Sequence, residues 1–398
     1  MAESRLAAAA AVVALSFAFA CSESPTEATL DNLAPQFDHK GKSHGKPGGD
    51  EQPLYSVEVT ELGTLPGAKR VIAIAIAGTH IVGVSSLGLW HMTLGGSPTL
   101  LTCDGGTTAG CDWGASNGGR SIDVNSDGLI VSAARKATDG LNQATYWTSA
   151  GALNIDLLSP GFVSNANGVS STGYVAGTAI LGESWENAQQ VAMLWKIDAG
   201  IVTASRDLND EIFMGTAPWS AARDVNDFGQ VVGSAEGFGA FFWDDGDPVA
   251  LPGEGASPAA INNSSVSVRV AGSFSNLPGS PSARGVVWTV EGGAVTGTEE
   301  LPPLIRYEEA WRALDINDAG DVVGRGAKLS GGAPGRESQV HALLWTRDET
   351  GAYTVVDLGP GQAHAIENVS LQDIRTTRVV GWVESKKGGA TPVMWTVT

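Results

Sequence analysis

From residue 55 onward, the chain is written in short apolar runs of four to eight residues. Gly, Asn, Asp or Pro separates them. Residues 222–233 read ARDVNDFGQVVG, 313–324 read ALDINDAGDVVG and 121–132 read SIDVNSDGLIVS. The runs are rich in Val, Ile and aromatic residues and too short for helices, so they predict strands. The Asn-Asp-x-Gly segments predict tight hairpin turns, because Asn and Gly tolerate positive φ.

The opening pentad recurs as AIAIA from Ala73, SIDVN from Ser121, ANGVS from Ala166 and ARDVN from Ala222. It returns as PAAIN from Pro258, ALDIN from Ala313 and AHAIE from Ala363. A second run follows each pentad and ends at Gly83, Ser132, Gly177, Gly233, Gly272, Gly324 or Gly381. A third run carries a tryptophan in every repeat: Trp90, Trp147, Trp195, Trp243, Trp288, Trp345 and Trp395. The fourth is short and Leu-rich, as in NIDLL, PVALP and TVVDL. Four antiparallel strands repeating every 45 to 50 residues predict β-propeller blades. One blade cannot bury both faces, so the tryptophan is expected to pack blade on blade. The last repeat stops at MWTVT without a fourth run, while SVEVTELGTLPG near residue 56 resembles one. The expectation is therefore all-β: a seven-bladed β-propeller of four-stranded antiparallel blades over 55–398, closed by the N-terminal strand. An open β-solenoid is the alternative, and it would not need a split repeat.

The spacing of AxxIN, GxVVG, HALLW (341–345) and DLG (357–359) resembles the bacterial extracellular HAF repeats, over roughly residues 61–398. The resemblance implies export and repetition. It implies no activity and no catalytic residues.

Composition narrows the function classes. The net charge of −19 argues against a nucleic-acid partner, since a phosphate backbone selects basic patches. Residues 1–20 hold Arg5 and then an apolar run from Leu6 to Ala20, which reads as a signal peptide. Ala18-Phe19-Ala20-Cys21 resembles a lipobox, which predicts lipidation at Cys21 and a lipoprotein of the bacterial outer membrane or cell surface. Cleavage near Ala20 with free secretion is the other reading. Residues 21–54 read as a lipid-anchored flexible linker. His39 and His44 lie there, without the fixed geometry of a metal site. The remaining cysteines, Cys103 and Cys111, predict a disulfide in an exported chain. No metal, no cofactor and no membrane contact beyond the anchor are expected, and the chain is expected to be a monomer.

Long connections fall on one predicted face: 102–120, 182–188, 206–220, 275–283, 301–312 and 328–339. Extra residues gathered on one rim suggest a binding face. Trp113, Trp185, Trp219 and Trp311 lie in those loops, with Arg306, Tyr307, Glu308 and Glu309 beside Trp311. His364 sits on the first strand of the last repeat, near the expected channel. Exposed tryptophans beside polar groups suit a sugar ring or a peptide. Folding back to cap the ring is the structural alternative. Glu308 and Glu309 could form an acid/base pair, although adjacent residues on an extended loop point apart. Asp123-x-Asn125-x-Asp127-Gly128 opens like a calcium loop, but Ala134 stands where the closing Glu belongs, which favours a polar turn. The sequence thus favours a non-enzymatic binding module for a glycan or protein. A carbohydrate-active hydrolase or lyase and a structural envelope protein are the rival classes.

Overall fold

The computed structural model describes residues 55–398 apart from 103–121, 136–140, 149–150, 154–160, 183–185, 276–282, 305–309, 330–336, 349, 372–373 and 385–388. The described residues form an all-β, propeller-like array: five four-stranded antiparallel sheets and one seven-stranded sheet. The predicted cysteine pair and Cys21 lie outside the described residues.

Each four-stranded sheet is a plain meander, its strands ordered in space as in sequence. The first strands of these units are Val71–Ala77, Ile122–Val124, Gly161–Val169, Ser220–Val225 and Ser257–Ile261. The seven-stranded sheet contains two further four-stranded arrays. Its sixth-unit array begins at Ala310–Ile316. The long strand Tyr353–Leu371 joins the two arrays by changing partner midway: Tyr353 to Pro360 pairs with Glu337–Arg347, and Gly361 to Leu371 pairs with Ile374–Glu384. The strand Val57–Glu61 pairs antiparallel with Ala390–Val397, Val57 opposite Val397 and Glu61 opposite Val393. It thereby supplies the fourth strand that the last array lacks. Leu62 donates its amide to Pro392, as Leu101 does to Leu89 and Leu301 to Gly285, so the junction repeats the geometry of an ordinary unit.

The core lies between units. Successive sheets share each hydrophobic cluster; Ala260, Val287 and Leu301, for example, pack with Trp311, Leu343 and Trp345 of the next sheet. One cluster joins Ile72, Ile81 and Trp90 of the first unit with Ala365, Val380 and Ala390 of the last. All seven repeat tryptophans are buried. Burying roughly 200 Å² of indole at about 25 cal/mol/Å² is worth on the order of 5 kcal/mol as an upper bound. That exceeds the about 1 kcal/mol of the indole hydrogen bond, which instead fixes orientation. Trp147, Trp288, Trp345 and Trp395 donate Nε1–H to Thr102, Pro252, Pro302 and Leu358, each on the preceding unit.

The glycine that ends the second strand follows from a recurring β-bulge. In six units the first strand slips by one residue at the second position of the pentad, as between Ala222 and Asp224 or Ala313 and Asp315. The slip drives a first-strand carbonyl against the second strand. A Cβ on Gly324 would lie 1.9 Å from the Arg312 carbonyl, and one on Gly233 2.3 Å from that of Ala221. The backbone cannot yield there without breaking the pairing.

Gly324→Ala is expected to cost at least about 3 kcal/mol. Gly351→Ala, at positive φ but in open space, is expected to cost about 1 kcal/mol. Urea unfolding of the two variants checks the difference.

Candidate functional site

The first strand of each unit is a sheet edge, so every second amide points away from its sheet. The Asn226 amide donates to the carbonyl of Gln230, just before the second strand Val231–Ala235, and the Val225 amide therefore faces outward. An edge amide enclosed by neighbouring units needs a partner. The third pentad position supplies it. The Asp224 carboxylate accepts the amide of Val225 at 2.8 Å and that of Ile261, in the next unit, at 2.9 Å. Asp315 accepts Ile316 and Ile366, both at 2.8 Å. Asp123 accepts Val169 at 2.8 Å, and Val124 as well. Three carboxylates thus serve six equivalent amides in units two to seven. In units one, three, five and seven the same position holds Ala75, Gly168, Ala260 and Ala365. The small residue is required next to an aspartate: a Cβ on Gly168 would lie 2.5 Å from Asp224 Oδ1.

The fifth position repeats the arrangement with an amide side chain. Asn226 Oδ1 accepts Phe228 and Gln230 amides and closes its own turn, while Nδ2 donates to the Asn262 carbonyl of the next unit. Asn125 does the same with Asp127, Leu129 and the Ser170 carbonyl. Its side-chain oxygen accepts two amides of its own turn, the pattern of a polar hairpin turn. The glycines that end these turns, Gly128, Gly229 and Gly320 among them, have φ near +80°.

The three aspartates keep a little accessible surface but are crowded on all sides by protein, and the crowding sets their electrostatics. Burial, followed by the charges of Asp224 and Asp315, pushes Asp123 up to about 8. Burial pushes Asp315 to about 7, with Asp224 and Asp318 adding to it. Burial raises Asp224 to about 6, against the pull of its two amides. Arg223, the bulged residue beside Asp224, is exposed. Perturbed carboxylates mark either function or structure. Here the hydrogen bonds decide for structure, because each carboxylate is engaged by amides of two units. His364 is half-buried at the corresponding bulge of the last unit.

The long-connection end differs from the sequence expectation in two respects. Trp311 is not a loop aromatic. It lies in the strand Ala310–Ile316, is 6% exposed, and donates Nε1–H to the Leu301 carbonyl at 2.8 Å. Its bulk fills the core between the fifth and sixth units, which takes it away from a ligand. The connection 206–220 contains a helix, Leu208–Phe213, that strand periodicity did not reveal. Its signal is local: Asp207 caps the amides of Asn209 and Asp210, and Asp210 and Glu211 occupy the first turn. Trp219 is half-buried, bridges Gln190, and its carbonyl accepts the Glu236 amide. Trp113, Trp185, Arg306, Tyr307, Glu308 and Glu309 lie outside the described residues.

Around the helix, sequence reading missed an apolar patch. Met214 follows the helix at positive φ and is 83% exposed. Phe213 packs at 5.4 Å on Phe238, a partly exposed residue of the neighbouring hairpin. Arg206 stands over the Trp243 ring at 4.7 Å and pairs with Glu211 and Asp245. The opposite end, where the tight turns lie, holds an open cleft of about 280 Å³ lined by Asn125, Asp127, Thr148, Thr172 and Asp198.

Comparison with protein-family models and with curated proteins returns no match. Among solved structures, the chain is similar to a subtype N11 neuraminidase-like protein (H18N11) of A/flat-faced bat/Peru, at 9% identity and a TM-score of 0.27 over 58% of this chain and 85% of that one. A protein of unknown function from Dyadobacter fermentans DSM 18053 gives 11% identity and a TM-score of 0.34 over 86% and 98%. A Bombyx mori GH32 β-fructofuranosidase gives 11% and 0.28 over 99% and 66%. At such scores none of these proteins informs the reading of this chain.

Asn226→Ala strips a buried cross-unit donor and leaves the Asn262 carbonyl unpaired. It is expected to lower stability by about 2–3 kcal/mol, measured by denaturant unfolding.

Proposed function

We propose that the chain is an exported, seven-bladed β-propeller, closed by the strand Val57–Glu61, that acts as a non-enzymatic binding module for a glycan or protein at the cell surface. Two observations support closure. The amide of Gly78 in the first unit donates to Glu367 Oε2 in the last at 2.7 Å, and the two units share one hydrophobic cluster. The HAF-like spacing of the repeats and the signal-like N-terminus support export and a lipid anchor at Cys21.

The observation that carries the binding reading is the patch at the long-connection end. Met214 and Phe238 present apolar surface, Phe213 joins it to the buried Phe241, and Glu211 of the same helix pairs with Arg206. An apolar centre with a polar rim is the anatomy of a protein-binding surface, and an aromatic edge beside ion pairs also suits a sugar ring. The repeated aspartates and asparagines, by contrast, are spent on joining the units.

A screen of glycans and surface proteins against the chain from residue 21 onward tests this. Binding by the unmodified chain, weakened at least about tenfold (about 1.4 kcal/mol) in a Met214→Asp/Phe238→Ser double variant, is the expected result. Unchanged binding would remove the patch from the site. Turnover of a polysaccharide, lost in Glu308→Gln or Glu309→Gln, would favour a hydrolase or lyase instead. The processing half is checked by intact mass of the membrane fraction. The expected chain begins at a lipidated Cys21 and is lighter by a pair of hydrogens for the Cys103–Cys111 bridge. A start elsewhere, or two free thiols, would refute the corresponding part.

A further inference from the structure

The residue before each pentad lies directly opposite the residue after the second-strand glycine. The pairs Ile72–Val84, Asn165–Thr178, Ala221–Ser234, Ser257–Ser273 and Gln362–Trp382 contain no charge. The sixth unit places two cations there: Arg312 on Ala310–Ile316 faces Arg325 on Val322–Leu329. Both are half-buried.

Partners across an antiparallel pair share a face, with Cβ atoms about 5 Å apart. Trp311 takes the opposite face, toward the fifth unit. Ala342, across from Arg325 on the third strand, packs with Ala363 and Trp395 of the seventh unit. The two guanidiniums therefore lie at the junction of the sixth and seventh units. Arg325 Nη1 donates there to Gln362 Oε1 in a long hydrogen bond of 3.5 Å.

This arrangement is unfavourable as it stands. Like charges held directly opposite one another repel, and half-buried guanidiniums lose hydration as well. Arg312 has no compensation: among the described residues it has no ion-pair partner, and its Nε–H is buried without an acceptor. A chain of net charge −19 has carboxylates in excess. It sets one against Arg206, Arg284, Arg347 and Arg378. Opposite Arg312 it sets a second arginine. A buried donor left unmatched calls for an acceptor.

We propose that Arg312 and Arg325 form an anion clamp that takes one oxyanion group of a ligand, a carboxylate or a sulfate or phosphate ester, at the junction of the sixth and seventh units. A guanidinium offers parallel N–H donors in one plane, which match two oxygens of such a group. The free Nε–H of Arg312 supplies one arm of such a fork. One negative charge between the two cations turns their repulsion into attraction to a common centre. The clamp uses residues apart from the Met214 patch, so it stands or falls separately from the binding reading above.

NMR of the arginine Nε–H groups in the full chain tests the clamp. The probes are inorganic sulfate and acetate, each compared with sodium chloride of equal ionic strength. The Arg312 resonance is expected to shift and saturate with an apparent Kd on the order of millimolar. Saturation by sulfate alone assigns a tetrahedral oxyanion, and by acetate alone a carboxylate. Arg325→Gln is expected to weaken the response at least about tenfold. A response that does not saturate, or that chloride reproduces, would overturn the proposal. So would binding that appears only in a Glu308→Gln/Glu309→Gln variant, because the chain's own acids would then fill the clamp. Thermal unfolding in chloride supplies the second readout. Arg312→Gln removes an unmatched charge and is expected to melt no lower than the unmodified chain. A midpoint lowered by more than about 5 °C would make Arg312 a structural residue and overturn the clamp.

Discussion

The first strand of each unit is a sheet edge packed against its neighbours, and most of what recurs in the repeat answers that constraint. An edge amide in solvent costs nothing, but one enclosed by neighbouring sheets leaves a buried donor unmatched at about 1–3 kcal/mol. The chain meets the need with side chains from the adjoining unit. Aspartate at the third position takes two amides at once, and asparagine at the fifth both closes its own turn and reaches the next unit's carbonyl.

The same crowding dictates the residues that carry no polar chemistry. A bulge re-aims the second pentad residue and pushes a carbonyl across to the second strand, where only glycine leaves room. An aspartate in one unit forces a small residue in its neighbour, as Gly168 shows against Asp224. The tryptophan of the third strand then fills the space between sheets, and in four units it hangs its indole N–H on the preceding unit. Apolar packing supplies the larger energy; the polar clasps supply register.

This division of labour leaves the repeated interior positions to assembly and the long connections to the surface. The stretch 206–220 illustrates it: Asp207 caps a short helix whose C-cap, Met214, is exposed, while Leu208 and Phe213 pack toward the core. A ligand meeting that end would contact residues outside the repeat pattern.

Periodicity in the sequence determined the number of repeats, the strand character of each run and the burial of all seven repeat tryptophans, because an alternating pattern states which face is apolar. It also identified the leading strand as the missing partner of the last. Three features needed the tertiary structure. Trp311 reads as a loop aromatic in IRYEEAWR, yet strand pairing and packing between two units draw it into the core. The helix after Asp207 is too short to register as a periodic pattern. The asparagine and aspartate of DVN look like turn residues, or the start of a cation loop, from spacing alone. Only the neighbouring unit, between 36 and 51 residues away in the chain, provides the amides and carbonyls that make them clasps. A sequence records which groups are present, but the partner of an edge amide is chosen by which strands the fold brings alongside.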